Sequence, residues 1–225
     1  MKLKISNLYK SYDANEVLKG VNIEFEQGKI YGLLGRNGAG KTTFMNALNK
    51  DIDINSGKIY LDDTPLETKD IGYVISTPVV PDFLTAREFL EFFIDIHESE
   101  IEDKKSIEEY FKIVGLEESD WDKLLKDYSH GMKNKMQILI NIIANPHLIL
   151  MDEPLTSLDV VTQDEMKKLF KQIKKDHIII FSTHILELAL DLCDEIVVIN
   201  DGKLTLVEGK KTKTKILEML TEGTK

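Results

Sequence analysis

Gly35-Arg36-Asn37-Gly38-Ala39-Gly40-Lys41-Thr42-Thr43 satisfies every fixed position of the pattern G-x-x-x-x-G-K-[ST]. Its setting decides the reading. The apolar run Ile30-Tyr31-Gly32-Leu33-Leu34 before it predicts a buried strand, and Phe44-Met45-Asn46-Ala47-Leu48 after it predicts a helix. In a strand–loop–helix of this kind, successive backbone N–H groups turn inward on an oxyanion, and the positive end of the helix reinforces them. The glycines at 35, 38 and 40 are expected to take positive φ and let the backbone come close to phosphate. Lys41 supplies a mobile positive charge for β- and γ-phosphates, and the Thr42 hydroxyl is small enough to ligate Mg²⁺.

The rest of the chain sets bounds on this site. It has 225 residues, 42% hydrophobic and 30% charged, enough for one good core. A net charge of −10, with Arg36 and Arg87 as the only arginines, argues against broad nucleic-acid binding. It leaves a local anion site open, because backbone amides can build one. Cys193 is the single cysteine; no internal disulfide can form, which suits a reducing cytosol. Met1-Lys2-Leu3-Lys4 leads into alternating sequence, not a signal peptide. No run approaches the roughly 18 apolar residues needed to span a bilayer, so a membrane role must come through a partner.

Working outward, residues 2–9 alternate (Leu3, Ile5, Leu8) and read as a strand. Val17-Leu18 and Val21–Phe25 read as another pair, turning at Gln27-Gly28-Lys29 into the loop strand. Tyr12 lies between them, where it can stack on a flat ring or cover the sheet edge. Ser56–Leu61 and Ile71–Ile75 read as further strands. After Pro78 and Pro81 the character changes. Thr85-Ala86-Arg87-Glu88 is a capping box opening a helix with Phe89, Phe92, Phe93 and Ile96. Ser106-Ile107-Glu108-Glu109 opens another, ending near Gly115, and Ser129 caps a third that Asn145-Pro146 stops. Residues 78–145 therefore read as a helical insertion within one α/β domain spanning 1–225.

Beyond the insertion, His147–Met151 is a strand ending in Asp152-Glu153-Pro154, and Ile178–Phe181 is a strand ending in Ser182-Thr183-His184. Ile196–Ile199 turns at Asn200-Asp201-Gly202 into a last strand over Leu204–Val207. Lys210, Lys211, Lys213 and Lys215 read as a solvated basic tail. Strand–helix alternation with continuously apolar strands implies a mostly parallel sheet covered on both faces. Ligands of such sheets bind at the carboxyl ends of the strands. The phosphate loop, Asp152-Glu153 and His184 all fall there. Asp152 is placed to hold Mg²⁺ opposite Thr42, Glu153 to polarise an attacking water, and His184 to hydrogen-bond the γ-phosphate or that water.

These motifs, in this order and spacing, resemble over essentially the full length the nucleotide-binding subunit of an ATP-binding-cassette (ABC) transporter. Tyr-Ser-His-Gly-Met at 128–132 stands where the family signature Leu-Ser-Gly-Gly-Gln is expected. Leu148–Pro154 matches the second nucleotide motif, Ser157-Leu158-Asp159 the D-loop, His184 the switch histidine and Tyr12 the adenine-stacking aromatic. The resemblance implies a P-loop NTPase cassette with an N-terminal antiparallel β part and an inserted α-helical subdomain. It implies ATP and Mg²⁺ as ligands, and two cassettes, identical or not, sandwiching nucleotide. Each ATP would lie between one chain's phosphate loop and the other's Ser129-His130-Gly131. It further implies a membrane-spanning partner, and a place on the cytoplasmic face of the cell membrane through that partner. The chain departs from the pattern at His130 and Met132, a variant similar to single-cassette subunits paired with drug, peptide or lipid exporters. It departs again at Ser76, where the family usually has the longer Gln or Glu reaching Mg²⁺ and water. The competing readings are a soluble regulatory cassette, which usually carries two cassettes or a long coiled-coil insertion, and an iron–sulfur assembly scaffold.

The loop Ser76–Leu84 carries Val79, Val80, Phe83 and Leu84 beside two prolines. It is expected to be either a docking surface for the membrane partner or local core under the insertion.

Overall fold

Three strands with no polar face, Ile30–Leu34, Leu148–Asp152 and Ile178–Thr183, are buried at every residue and form the centre of the protein. In this computed structural model the described residues are 1–99, 101, 103–156, 158–209 and 212–221; Ser157, Lys210 and Lys211 lie outside them. In chain order the strands are β1 (Lys2–Tyr12), β2 (Asn15–Glu26), β3 (Ile30–Leu34), β4 (Ser56–Leu61), β5 (Thr64–Pro65), β6 (Ile71–Val74), β7 (Leu148–Asp152), β8 (Ile178–Thr183), β9 (Glu195–Asn200) and β10 (Lys203–Leu206). The helices are α1 (Lys41–Leu48), α2 (Ala86–Ile96), α3 (Ile107–Ile113), α4 (His130–Ala144), α5 (Val160–Ile173), α6 (Leu186–Leu192) and α7 (Lys213–Thr221).

Two sheets result. The larger has the order β10-β9-β3-β8-β7-β6, parallel except for β10, which returns antiparallel on β9. The smaller is antiparallel, β2-β1-β4-β5. The side-chain period of a strand assigns neighbouring residues to opposite faces, and β7 shows the consequence. Leu148 and Leu150 join Phe25, Phe44, Met45 and Leu3 in a core between the two sheets that encloses α1. Ile149 and Met151 join Leu90, Phe111, Met136, Leu139 and Phe170 in a core on the opposite face, beneath α2 to α5. A third cluster sets Ile216 of α7 against Ile196 and Val198 of β9.

The segment between β6 and β7 is helix and loop among the described residues, with one isolated bridge between Thr85 and Leu124. Both capping boxes form as the sequence predicts: the Thr85 hydroxyl accepts from the Glu88 N–H and that of Ser106 from the Glu109 N–H. Asn145 ends α4 in the left-handed conformation. The insertion has no private core, because α4 buries Met136, Ile138 and Leu139 in the same cluster as Val74 and Met151 of the sheet.

Two readings change. Val17-Leu18 and Val21–Phe25 belong to one continuous strand, β2, whose pairing with β1 shifts register around Leu8 and Lys10. The basic tail is in part helical: Lys213 and Lys215 are exposed, but α7 buries Ile216 completely and the Asn200 amide donates to the Met219 carbonyl.

Candidate active site

Gly40 precedes α1 at φ 103, a conformation in which a side chain is strained, and no acidic residue occupies the first turn. No side chain caps α1, so its first N–H groups have no side-chain competitor for an anion. Gly38 is also left-handed, at φ 80, but Gly35 is not. Gly35 is needed for closeness, since a Cβ there would lie 2.5 Å from Ile199 Cγ2 and 2.9 Å from the Ile199 carbonyl oxygen.

Lys41 is buried to 8% exposure, and its Nζ donates to the carbonyls of Gly35 (2.8 Å) and Arg36 (3.3 Å). Burial pulls its pKa below the ordinary lysine value, against the raising influence of Glu153 and then Asp152. A cation held at a buried loop with that balance is short of counter-charge, which is what an anionic ligand supplies.

Asp152 ends β7 and is likewise buried. The Ser182 hydroxyl on adjacent β8 donates to Asp152 Oδ1, and the Thr42 hydroxyl lies 3.4 Å from Oδ2. Hard divalent cations are bound by oxygen ligands of this kind, carboxylate with hydroxyl. Close by, burial and then the charge of Asp152 push the Tyr73 phenol above its ordinary pKa.

Glu153 follows at φ 51, a left-handed conformation that costs a non-glycine residue on the order of 1–3 kcal/mol. Its N–H is shared between the Ser182 carbonyl and hydroxyl, both at 3.2 Å, and its carbonyl accepts from the Thr156 hydroxyl at 2.9 Å. Its carboxylate accepts from His184 Nδ1, with Oε2 at 2.7 Å and Oε1 at 2.8 Å.

Lys41, Thr42, Asp152 and Glu153 line one cleft of roughly 670 Å³; His184 is not among the lining residues and meets it through its bond to Glu153. The cleft is lined by Asn37, Gly38 and Gly40 to Thr43 of the loop and α1, by Tyr12 and Val17, and by Asp152, Glu153 and Thr156. Tyr12 is 45% exposed, and Lys10 Nζ lies over its ring, 4.8 Å from the centroid. Ser76, Thr77 and His130 complete the lining. Arg36 and Ala39 instead face a second hollow beside the Asn200–Gly202 turn. Ser129 and Gly131 are not among the residues lining the cleft. The Ser129 hydroxyl accepts from the Met132 N–H and caps α4, while Gly131 lies so close to Leu158 that a Cβ would be 3.0 Å from its Cδ2. Asp159 caps α5 by accepting from the N–H groups of Val161 and Thr162.

Sequence reasoning missed the part played by Ser182 in orienting Asp152, and missed Thr156 altogether. The one signal was position: Ser182 is the penultimate residue of β8, two residues before His184.

Comparison with known proteins agrees with this geometry. A family model described as ABC transporter matches residues 18–156. The uncharacterised ABC transporter ATP-binding protein YxlF of Bacillus subtilis (strain 168) is 33% identical over 205 residues, 90% of this chain and 69% of that protein. The bacitracin transport ATP-binding protein BcrA of Bacillus licheniformis is 36% identical over 213 residues, 90% of this chain and 68% of that protein. A solved ATP-binding subunit of an ABC transporter superposes with a TM-score of 0.78 at 25% identity, over 99% of this chain and 95% of that one.

Proposed function

The chain belongs to the ABC transporter family, and on that premise we propose that it is the ATP-binding and hydrolysing subunit that powers a separate membrane-spanning partner. The observation that carries this is the convergence of Lys41, Thr42, Asp152 and Glu153 on one cleft at the carboxyl edge of the parallel sheet, with His184 bonded to the Glu153 carboxylate behind it.

The phosphate loop and the first turn of α1 bind the phosphates, with Lys41 supplying charge and the exposed Tyr12 ring receiving the base. Mg²⁺ would be held by Thr42 and Asp152, where it neutralises phosphate charge. Glu153 accepts a proton from the water that attacks the γ-phosphorus in line as the bond to the bridging oxygen breaks. His184 donates to the Glu153 carboxylate and holds it in place. Ser76, in the lining, is too short to replace the reach of a glutamine.

Ser129 and Gly131 are not among the lining residues of this chain's own cleft, although His130 between them is; we read Ser129 and Gly131 as serving the nucleotide of a second cassette, in a homodimer or heterodimer. No helix among the described residues is long and apolar enough to cross a membrane. Val79 and Phe83 are 71% and 78% exposed, which favours the loop as the partner's docking surface over a role as local core. The His130 and Met132 variant of the signature is the ground for reading the cargo as a drug, peptide or lipid that is exported, and the likeness to a bacitracin transport protein supports transport.

Turnover, nucleotide affinity and sedimentation of two variants test the reading. Lys41→Ala should lose ATP affinity. Glu153→Gln should keep affinity, slow hydrolysis by about 10²–10⁴-fold, and run as a dimer with Mg-ATP but as a monomer without it. Near-normal turnover in Glu153→Gln, or a monomer throughout, overturns the assignment.

A further inference from the structure

We propose that Asn134, on α4, is a positioning residue for hydrolysis that holds Glu153 in its working orientation through the carbonyl of Pro154. This rests on the reading of Glu153 as the group that activates water.

Glu153 stands in the left-handed region at φ 51, which a non-glycine residue keeps only when its surroundings hold it there. The next residue is proline. It has no N–H, so the handle its backbone offers is its carbonyl. That carbonyl accepts a hydrogen bond from Asn134 Nδ2. The peptide between Glu153 and Pro154 is planar and the proline ring locks φ. A restraint on the Pro154 oxygen therefore reaches the Glu153 Cα through a nearly rigid unit, with only the proline ψ free to absorb it.

Packing does not account for an asparagine here. Asn134 is 2% exposed, and its Oδ1 has no partner among the described residues. A half-paired buried amide is unfavourable relative to an apolar side chain of the same shape, so the one bond it makes is its physical rationale. The other restraints around Glu153 come from His184 on its carboxylate, from Ser182 on β8, from Thr156, and from Gln163 on α5, whose amide donates to the carbonyls of Leu155 and Leu158 at 3.0 Å each. Asn134 adds a tie to α4, the helix that begins immediately after Ser129. A shift of that helix is thereby felt at the carboxylate.

The test measures ATP turnover, Mg-ATP affinity and thermal unfolding for Asn134→Leu, alone and combined with Glu153→Gln. Asn134→Leu fills the same volume without the donor; Asn134→Ala is run alongside it, so that the result does not depend on one variant folding. Both should lower kcat by roughly 10- to 100-fold, the scale of a displaced catalytic group, with KM and Mg-ATP affinity unchanged. Leucine should leave the melting temperature level or raise it. In the Glu153→Gln background neither substitution should slow turnover further, because a residue that acts through Glu153 has nothing left to position. Full turnover in either folded variant overturns the proposal, as does a rate loss that multiplies with that of Glu153→Gln or a defect confined to KM. Near-normal turnover in Glu153→Gln alone is a different failure: it removes the reading of Glu153 and the proposal with it.

Discussion

Ser182→Ala isolates one contact at the bottom of the cleft. The hydroxyl donates to Asp152 Oδ1 and accepts from the Glu153 N–H, and the residue is completely buried. Alanine leaves the Glu153 N–H bonded to the carbonyl of residue 182, so no backbone donor is orphaned. The loss falls on Asp152, a buried carboxylate left with the 3.4 Å contact to Thr42. A hydrogen bond to a charged group contributes about 1.5–3 kcal/mol, and removing one oxygen opens no appreciable cavity. A domain of this size shifts by roughly 2–4 °C per kcal/mol. A loss near 2 kcal/mol thus corresponds to a fall of about 4–8 °C in melting temperature. Urea unfolding should give a lower midpoint at an unchanged slope, as expected when stability changes but the unfolded surface does not. The same loosening should raise the Mg²⁺ concentration needed for half-maximal ATP turnover. A variant that melts with the parent and keeps its Mg²⁺ dependence would refute the idea that Ser182 orients Asp152.

Phe83→Asp changes a side chain that is 78% exposed, so folding and ATP affinity should hold while association with membranes carrying the partner is lost; retained association counts against docking at this loop. Ile216→Asp should undock α7, and hydrogen exchange should then speed up at residues 213–221 while β9, paired on both sides, stays protected; unchanged exchange would contradict the packing described. His177 is buried, its Nδ1 donates to the Pro146 carbonyl at 2.6 Å, and burial depresses its pKa below 6.5. The unfolded chain therefore takes up the proton first, so this contribution to stability is full above pH 6.5 and is lost as pH falls below it. Unfolding across pH 5–8 should show a fall at the acid end that His177→Asn flattens, and equal slopes for the two proteins would dismiss the effect.

What could be read beforehand was local. The phosphate loop, the two capping boxes and the carboxyl ends of β7 and β8 each depend on residues close in sequence, and the structure has them where the pattern predicted. The misreadings share a cause. Lys19 and Gly20 break the alternation of β2, because a register shift moves side chains between faces without ending the strand. α7 hides behind its lysines, since one buried isoleucine suffices to dock so short a helix. The contacts that tune the site, Ser182 to Asp152 and Asn134 to Pro154, join residues 30 and 20 positions apart. No period or spacing announces them.

The strand edges carry one more consequence. Both outer strands of the large sheet, β6 and β10, are four residues long. The long margin of the small sheet, β2, is tied to the β9–β10 turn where the Lys19 N–H donates to the Gly202 carbonyl at 2.8 Å. Short or occupied margins give a passing copy little backbone to zip onto, which guards a crowded solution against open-ended aggregation. Any pairing with a second cassette would then run through side chains and whatever those side chains hold, a kind of joining that can be undone.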